Sequence, residues 1–164
     1  MGVGPEAFRA VLRRYPTGVT VVTMRAGERE HGMTANAVTP VSLEPPLYLV
    51  CLAKTVPAHD LLPEAGGFLV NILGEDQENV SRTFSDDDLG DDGRWATVQT
   101  TRSDLGPLRI EGCIGYLGCS LTDALPGGDH TIYVGEIVSV EPGLDREPLV
   151  FHGGGYRRLA PVDG

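Results

Sequence analysis

GMTANAVTPVSLEPPLYLVCLAKT, residues 32–55, is the most informative segment of this chain. In its first half, small apolar residues alternate with or flank hydroxyl and amide side chains, at Thr34, Asn36, Thr39 and Ser42. Because successive side chains of a strand point to opposite faces, this pattern predicts a strand with a row of hydrogen-bonding groups on one side. The second half, residues 47–53, is nearly all apolar and predicts a buried strand.

A cation and a hydroxyl, Lys54 and Thr55, stand where this buried strand ends. Charge-assisted hydrogen bonds gain strength at a partly desolvated edge, so the pair suits an anion such as a phosphate. Lys54 is the single lysine of the chain, beside twelve arginines. An ordinary β-hairpin with a solvated end is the alternative interpretation of the same residues.

Size and composition predict one soluble domain over residues 1–164, with 41% hydrophobic and 22% charged residues. No stretch approaches the roughly 18 consecutive apolar residues of a membrane span. The first residues lack the basic-then-apolar order of a secretory signal, so we expect a cytoplasmic protein without membrane contact. The net charge of −10 argues against nucleic-acid binding, because that contact depends on neutralising phosphates. Any anionic ligand must be held by local positive groups.

The three cysteines, Cys51, Cys113 and Cys119, form no CxxC pair and are odd in number. This pattern argues against a disulfide framework and against a zinc site, so we predict no metal ligands. Each cysteine lies in an apolar segment, which predicts buried and unreactive thiols.

The other segments predict short strands joined by loops, with few helices. An amphipathic helix packed across a barrel end is predicted over 5–15, and shorter helices over 55–67 and 76–84. Strands are predicted over 18–24, 68–73, 109–121 and 131–141, a solvated acidic loop over 85–93, and a turn-rich loop over 122–130. A parallel doubly wound sheet would need helices between most strands. The pattern therefore indicates a mainly β chain that forms an antiparallel barrel with short capping helices.

Several separated motifs resemble the flavin reductase family with the FMN-binding split β-barrel. They are GMTANAVTPVSLEPP followed by CLAKT, SRTF at 81–84, GDH at 128–130 and PLVFHGGGYRRL at 148–159. The likeness covers almost the whole chain. It implies a Greek-key type split barrel, a homodimer, and an NAD(P)H:flavin oxidoreductase that uses NADH or NADPH to reduce FMN or FAD. Members of this family often supply reduced flavin to a partner monooxygenase.

The resemblance also implies a flavin site. Thr34 and Asn36 would lie along the flavin ring and its ribityl chain, with Ala35 offering its backbone amide. The ring would be lined from the adjacent strand by Val50, Cys51 and Leu52. Tyr156 is a further flavin candidate.

The remaining site residues belong to the phosphate and nicotinamide sides. The resemblance implies that Lys54 and Thr55 reach the flavin phosphate. Ser81, Arg82 and Phe84 match the family's helix start, and from it Arg82 is also assigned to the phosphate. Ala53 and Val56 stand where the family commonly has Asn and Ser, which implies weaker flavin retention. His130, in GDH, is the predicted catalytic residue, because the family's histidine there faces the flavin ring and orients the nicotinamide.

Other interpretations compete with the reductase. One is a flavin- or haem-binding module of the same fold that does not turn over nicotinamide, and another is an oxidase that retains its flavin. A structural partner without a ligand is a third. His130 could be a solvated loop histidine, and His31 and His59 are interpreted as ordinary surface or cap residues.

Overall fold

The computed structural model describes residues 2–160. Its strands are β1 Thr17–Gly18, β2 Thr20–Ala26, β3 Arg29–Ala35, β4 Val38–Leu43, β5 Pro46–Ala53, β6 Gly67–Ile72, β7 Thr100–Arg102, β8 Leu108–Ile110, β9 Gly115–Gly127, β10 His130–Pro142, β11 Val150–His152 and β12 Gly155–Arg157. Its helices are α1 Pro5–Leu12, α2 Pro57–Ala65, α3 Glu78–Phe84 and α4 Asp91–Trp95.

Seven strands form one antiparallel sheet in the order β3-β2-β6-β9-β10-β5-β4. Its two outermost strands, β3 and β4, are consecutive in the chain and are joined only by Asn36 and Ala37. The Cys51 backbone N–H donates to the Ala37 carbonyl at 2.9 Å, which ties this junction to β5. The sheet is therefore brought round on itself, and the predicted mainly β, antiparallel barrel fold is confirmed.

Alternation along the strands builds a core on each face of the sheet. In β2, Val22 and Met24 join the cluster inside the barrel, whereas Val21 joins a second cluster on the opposite face. Helix α2 buries Ala58, Leu61 and Leu62 in the barrel cluster, so it is a true capping helix. The second cluster holds Phe84 of α3 and lies beneath the functional region described below.

The long β9–β10 ribbon corrects two sequence-based boundaries. Residues 122–130 were expected to form a turn-rich loop, but β9 continues to Gly127 and β10 begins at His130. Gly128 adopts φ 74°, so the turn needs only two residues. The strand expected over 109–121 is broken, because Gly112 adopts φ 82° and reverses the chain between β8 and β9.

The N-terminal helix was predicted over 5–15 and was expected to pack across a barrel end. It ends at Leu12 and does not pack there. None of its residues is buried, and Phe8 is 56% and Val11 68% exposed. The apolar periodicity was interpreted correctly as a helix, but nothing within residues 2–160 buries its apolar side.

The acidic segment is not wholly a solvated loop, because α4 begins at Asp91. The Asp91 carboxylate lies 3.0 Å from Nδ1 of His31, a residue only 5% exposed. Arg94, also buried, donates to the carbonyls of Gly32 and Asp86. The interpretation of His31 as a surface residue is therefore wrong: a partner sixty residues away in the chain covers it.

Candidate functional site

A cleft of about 290 Å³ opens between β3, helix α3 and the β11–β12 hairpin. It is lined by Val19, Thr34, Asn36, Ser81, Ser85, Phe151 and Tyr156. Four of the predicted flavin-binding residues, from three separate parts of the chain, thus meet around one space. Thr34, Asn36, Ser81 and Tyr156 are those four.

We call this space the flavin cleft, after the predicted flavin-binding residues that line it. Two hydrogen bonds hold its walls together. Thr34 Oγ1 donates to the Ser81 carbonyl at 2.7 Å, which fixes α3 against β3. The Ser81 hydroxyl, which is fully buried, lies 2.8 Å from the Tyr156 hydroxyl. Because either hydroxyl can be the donor, the pair also keeps capacity to accept or donate toward a ligand.

Gly32 explains how α3 can lie so close to β3. A β-carbon at this position would stand 2.6 Å from Phe84 Cε1 and 2.9 Å from the Trp95 ring. The Phe84 and Trp95 rings pack edge to face at 4.9 Å between centroids, directly over the glycine. Phe84 is 1% exposed, so its side chain supports α3 from the core and does not line the cleft.

Arg82 and Phe151 frame the Tyr156 ring. The Arg82 guanidinium carbon lies 4.9 Å from the ring centroid, a cation–π distance. Glu78, one turn earlier in α3, accepts from Arg82 Nε at 2.8 Å. Phe151 packs against the same ring edge to face, with 5.5 Å between the ring centroids. The cleft therefore has an aromatic pair in its lining and a cation beside the Tyr156 ring.

Asn36 is held at the rim where the barrel closes. Its Nδ2 donates to Thr17 Oγ1 at 3.2 Å, which leaves the amide oxygen to accept from a ligand. The neighbouring Ala35 is 7% exposed, and its carbonyl accepts a hydrogen bond from Thr20 Oγ1 at 2.7 Å, so the predicted amide contact stays a prediction. No motif or periodicity pointed to Thr17 as the hydrogen-bond partner of Asn36.

Strand β5 presents only one of its three predicted ring-lining side chains outward. Val50 and Leu52 are fully buried in the barrel, because they occupy the inward positions of the pleat. Cys51 lies between them and points outward, half-buried. Contacts of Val50 and Leu52 with a ligand are therefore restricted to the backbone. Burial raises the pKa of the Cys51 thiol, so it is neutral near pH 7.

Three of the predicted site residues lie outside the flavin cleft. His130 lies at the turn between β9 and β10, and Lys54 and Thr55 follow the end of β5. The end of β5 pairs with the start of β10, with Ala53 opposite His130. Lys54 Nζ donates to the Gly128 carbonyl at 2.8 Å, and its backbone N–H donates to the Asp129 carbonyl at 3.0 Å. The predicted phosphate ligand thus fastens the turn that carries the predicted catalytic histidine.

His130 is held on this turn by its neighbour. Its Nδ1 lies 2.7 Å from Asp129 Oδ1, and its side chain is 42% exposed. The hydrogen bond from His130, together with its charge, holds the pKa of Asp129 below the usual range. His59 supports the same strand, because its Nε2 lies 2.9 Å from Thr131 Oγ1, so it is not a freely solvated histidine.

Residues 12–160 match the flavin reductase like domain family. The chain belongs to this family. A curated NADH-dependent FAD reductase of Streptomyces globisporus is 38% identical over 160 residues, covering 94% of this chain and 85% of that protein. The reductase component of 4-hydroxyphenylacetate 3-monooxygenase from Thermus thermophilus is 42% identical, covering 94% of this chain and 96% of that protein.

Solved structures agree with these sequence relatives. The NADH:FAD oxidoreductase of Streptomyces globisporus, in complex with NAD and FAD fragments, superposes with a TM-score of 0.90 at 38% identity and covers 98% of each chain. The expected family, the split-barrel fold and the NAD(P)H:flavin oxidoreductase activity are therefore confirmed, and nothing favours the competing interpretations. No helix within residues 2–160 has the length and apolar content that crossing a membrane requires.

The residues of the flavin cleft fit a flavin. An isoalloxazine ring needs apolar contact surface and hydrogen-bonding groups along its polar edge, and the protein mainly supplies binding and orientation. The rings of Phe151 and Tyr156 supply apolar surface, and the hydroxyls of Thr34 and Tyr156 and the amide of Asn36 supply hydrogen-bonding groups. Within residues 2–160, no group of three or more His, Cys, Asp or Glu is placed to hold a metal ion.

Proposed function

We propose that this flavin reductase uses NADH or NADPH to reduce FMN or FAD and passes the reduced flavin to a partner monooxygenase. The observation that carries the proposal is the cleft in which Thr34, Ser81 and Tyr156 are joined by hydrogen bonds. These residues come from the segments that resemble the family, and a relative such as the Thermus protein is named as the reductase component of a monooxygenase.

The cleft residues hold the flavin. Thr34, Asn36, Ser81 and Tyr156 bind the ring and ribityl chain by hydrogen bonds and by aromatic contact, with the Ala35 amide beside them. Cys51 faces the ring from β5, and Val50 and Leu52 take part through their backbone. Phe84 acts indirectly, by keeping Ser81 and Arg82 in position.

Positive groups hold the phosphate. Arg82 lies beside the Tyr156 ring of the cleft, and Lys54 and Thr55 follow directly after strand β5. An ammonium group has three donor hydrogens, so Lys54 keeps two for a phosphate after bonding Gly128. A phosphate would thereby link the cleft to the turn that carries His130.

His130 positions the nicotinamide. Bound flavin supplies the chemistry, since it accepts a hydride from reduced nicotinamide. The protein's part is to place the two rings in contact and to exclude water. His130 is partly exposed on a short turn, which suits a substrate that must arrive and leave in each cycle.

We also propose that the protein is a single-domain, cytoplasmic protein and that it forms a homodimer. The homodimer is supported by large apolar side chains that one chain leaves uncovered. Leu43 of the edge strand β4 is 94% exposed, and Val41 of the same strand is 51% exposed. Large apolar side chains exposed together mark interaction surfaces, and a second copy would cover these two. Light scattering during gel filtration measures the state directly; a monomer at micromolar concentration contradicts it.

Anaerobic absorbance spectroscopy tests the activity. Purified protein is mixed with FMN or FAD and then with NADH or NADPH, and the visible band of oxidised flavin should disappear in a protein-dependent manner. Persistence of that band with every pair would leave only a binding module. Flavin that stays bound through dialysis and reacts slowly with NADH would indicate an oxidase.

Transfer to a partner needs a second experiment. The reductase and a flavin-dependent monooxygenase are placed on opposite sides of a dialysis membrane, with NADH and flavin free to cross. Product formation shows that reduced flavin leaves the reductase. Product only when both proteins share one compartment would contradict transfer by release into solution.

A further inference from the structure

A second cleft, of about 390 Å³, lies beside the flavin cleft, between the end of α1 and the β11–β12 turn. Arg9, Arg13 and His152 contribute to its lining, together with the aromatic rings of Tyr15 and Phe151. Within the described residues 2–160, no acidic side chain lines it. In a chain of net charge −10, a cleft with only basic charged groups is an unusual surface that favours an anion.

The two arginines are not engaged elsewhere. Most arginines of this chain pair with carboxylates, as Arg29 does with Glu64 and Arg146 with Asp76. Among residues 2–160, neither Arg9 nor Arg13 forms such an ion pair. Their guanidinium groups therefore keep the planar donor set that binds phosphate oxygens in pairs.

The backbone fixes one side of this second cleft, which we name the adenylate cleft. The Gly153 N–H donates to the Arg13 carbonyl at 2.9 Å, which joins the end of α1 to the β11–β12 turn. Gly153 and Gly154 adopt φ 66° and 81°, which side chains rarely tolerate. A ligand can therefore approach bare backbone there.

The adenylate cleft continues directly from the flavin cleft. Asn36 and Phe151 line both spaces, and Thr17, which anchors Asn36, lines the adenylate cleft. A molecule whose ring system lies beside Asn36 can thus extend past Phe151 toward Arg9 and Arg13. The part of the molecule that extends past Phe151 must be anionic to match the two arginines, and it must be long enough to carry a second aromatic group to Tyr15.

We propose that this cleft binds the adenosine diphosphate end of a dinucleotide, an assignment that rests on the proposed function. Arg9 and Arg13 bind the phosphate on the adenosine side, and the adenine stacks on the exposed ring of Tyr15, which supplies apolar area and a polar edge. FAD and NADH both carry this group. FMN and reduced nicotinamide mononucleotide lack it.

The test compares each dinucleotide with its truncated counterpart in the wild type and in the Arg9→Gln/Arg13→Gln double variant. One ratio is the KM for reduced nicotinamide mononucleotide over that for NADH, with FMN as acceptor. The other is the Kd for FMN over that for FAD, measured without turnover. Two partly exposed charge-assisted contacts predict that one ratio falls by about fivefold in the double variant.

Arg14→Gln is the matched control. Arg14 is adjacent in the chain and carries the same charge, but it is not among the residues that line the cleft. We expect both ratios to stay within about twofold of wild type in this variant, because general attraction by net charge is weak and screened. A change in the nicotinamide ratio identifies NADH as the occupant, and a change in the flavin ratio identifies FAD.

The proposal is overturned if neither ratio changes in the double variant, or if Arg14→Gln changes them equally. Wild-type turnover of NADH and FMN in the same assay separates this failure from failure of the proposed function. Because the flavin binding ratio needs no turnover, an inactive protein would still be tested. Salt gives a second measurement: the affected wild-type ratio should fall as ionic strength rises, and that of the double variant should not.

Discussion

In the flavin cleft the Ser81 side chain is fully buried, and its hydroxyl lies 2.8 Å from the Tyr156 hydroxyl. On the β9–β10 turn, by contrast, the His130 side chain is 42% exposed, and its Nδ1 lies 2.7 Å from Asp129 Oδ1. The distances are similar, but the surroundings differ. A buried hydrogen bond cannot be exchanged for water without cost, while an exposed pair contributes little.

This difference fits the two tasks that the proposed function assigns to these regions. The walls of the cleft are arranged before a ligand arrives, because Thr34, Ser81 and Tyr156 bond to each other and rest on the core below α3. The turn is held by Lys54 and Asp129 at the surface, so it can adjust to each nicotinamide. Rigid holding suits the flavin, and an adaptable contact suits the transient substrate.

Gly32→Ala should damage the rigid region most. Its β-carbon would stand 2.6 Å from Phe84, and the overpacking predicts a loss of about 1–3 kcal/mol in the free energy of unfolding. Displacement of α3 should also weaken FMN binding more than tenfold, about 1.4 kcal/mol. Thermal unfolding and flavin titration measure both. Gly18→Ala is the control, since a β-carbon there meets nothing within 4 Å; equal effects of the two variants would contradict the packing argument.

Tyr156→Phe should separate affinity from stability. It leaves the buried Ser81 hydroxyl without its partner, which predicts a loss of about 1 kcal/mol in stability and a roughly fivefold weaker Kd for FMN. Tyr116→Phe removes a comparable buried bond, from the Tyr116 hydroxyl to the Ile110 carbonyl, away from the cleft. The control should lose similar stability and keep its flavin affinity. If both variants bind FMN equally well, Tyr156 does not contact the flavin.

Local patterns in the sequence predicted those strands whose own residues form an apolar or β-branched run. The β-branched run at 18–24 and the apolar run at 47–53 are strands, because burial imposes their composition. The extension of β9 through 122–127 was missed, because these residues are exposed and resemble a loop in composition. Their pairing with β10, which only the folded chain shows, makes them a strand.

The site divides in the same way. Motifs brought Thr34, Ser81 and Tyr156 together correctly, yet the inward direction of Val50 and Leu52 follows from the pleat and was overlooked. Contacts between distant segments left no signal in the sequence. The hydrogen bond from Lys54 Nζ to the Gly128 carbonyl is one such contact. It was not predicted, because a lysine at a strand end was expected to face a ligand.

His130→Ala should change the turn without affecting the flavin cleft. Because His130 does not line the cleft, we expect the KM for NADH to rise about tenfold, about 1.4 kcal/mol, while the Kd for FMN stays the same. Asp129→Asn keeps the imidazole and loses only the charge that holds it, so its effect on KM should be smaller. An unchanged KM for NADH in His130→Ala would count against the nicotinamide role and leave His130 as a solvated loop residue.

The smallest expected effect lies in the titration of Asp129. Its pKa is lowered mainly by the hydrogen bond from His130, and less by nearby charges including Lys54. A carboxylate with a depressed pKa stabilises the fold above its unfolded pKa of about 3.9, and this contribution is lost as the pH falls through the lower folded value. Since Asp129 is exposed, salt should reduce the shift further. Carboxyl NMR titration should find the Asp129 pKa low in the wild type and near its ordinary value in His130→Ala. The same pKa in both proteins would mean that the two side chains do not pair in solution, and that the turn holds His130 through its backbone alone.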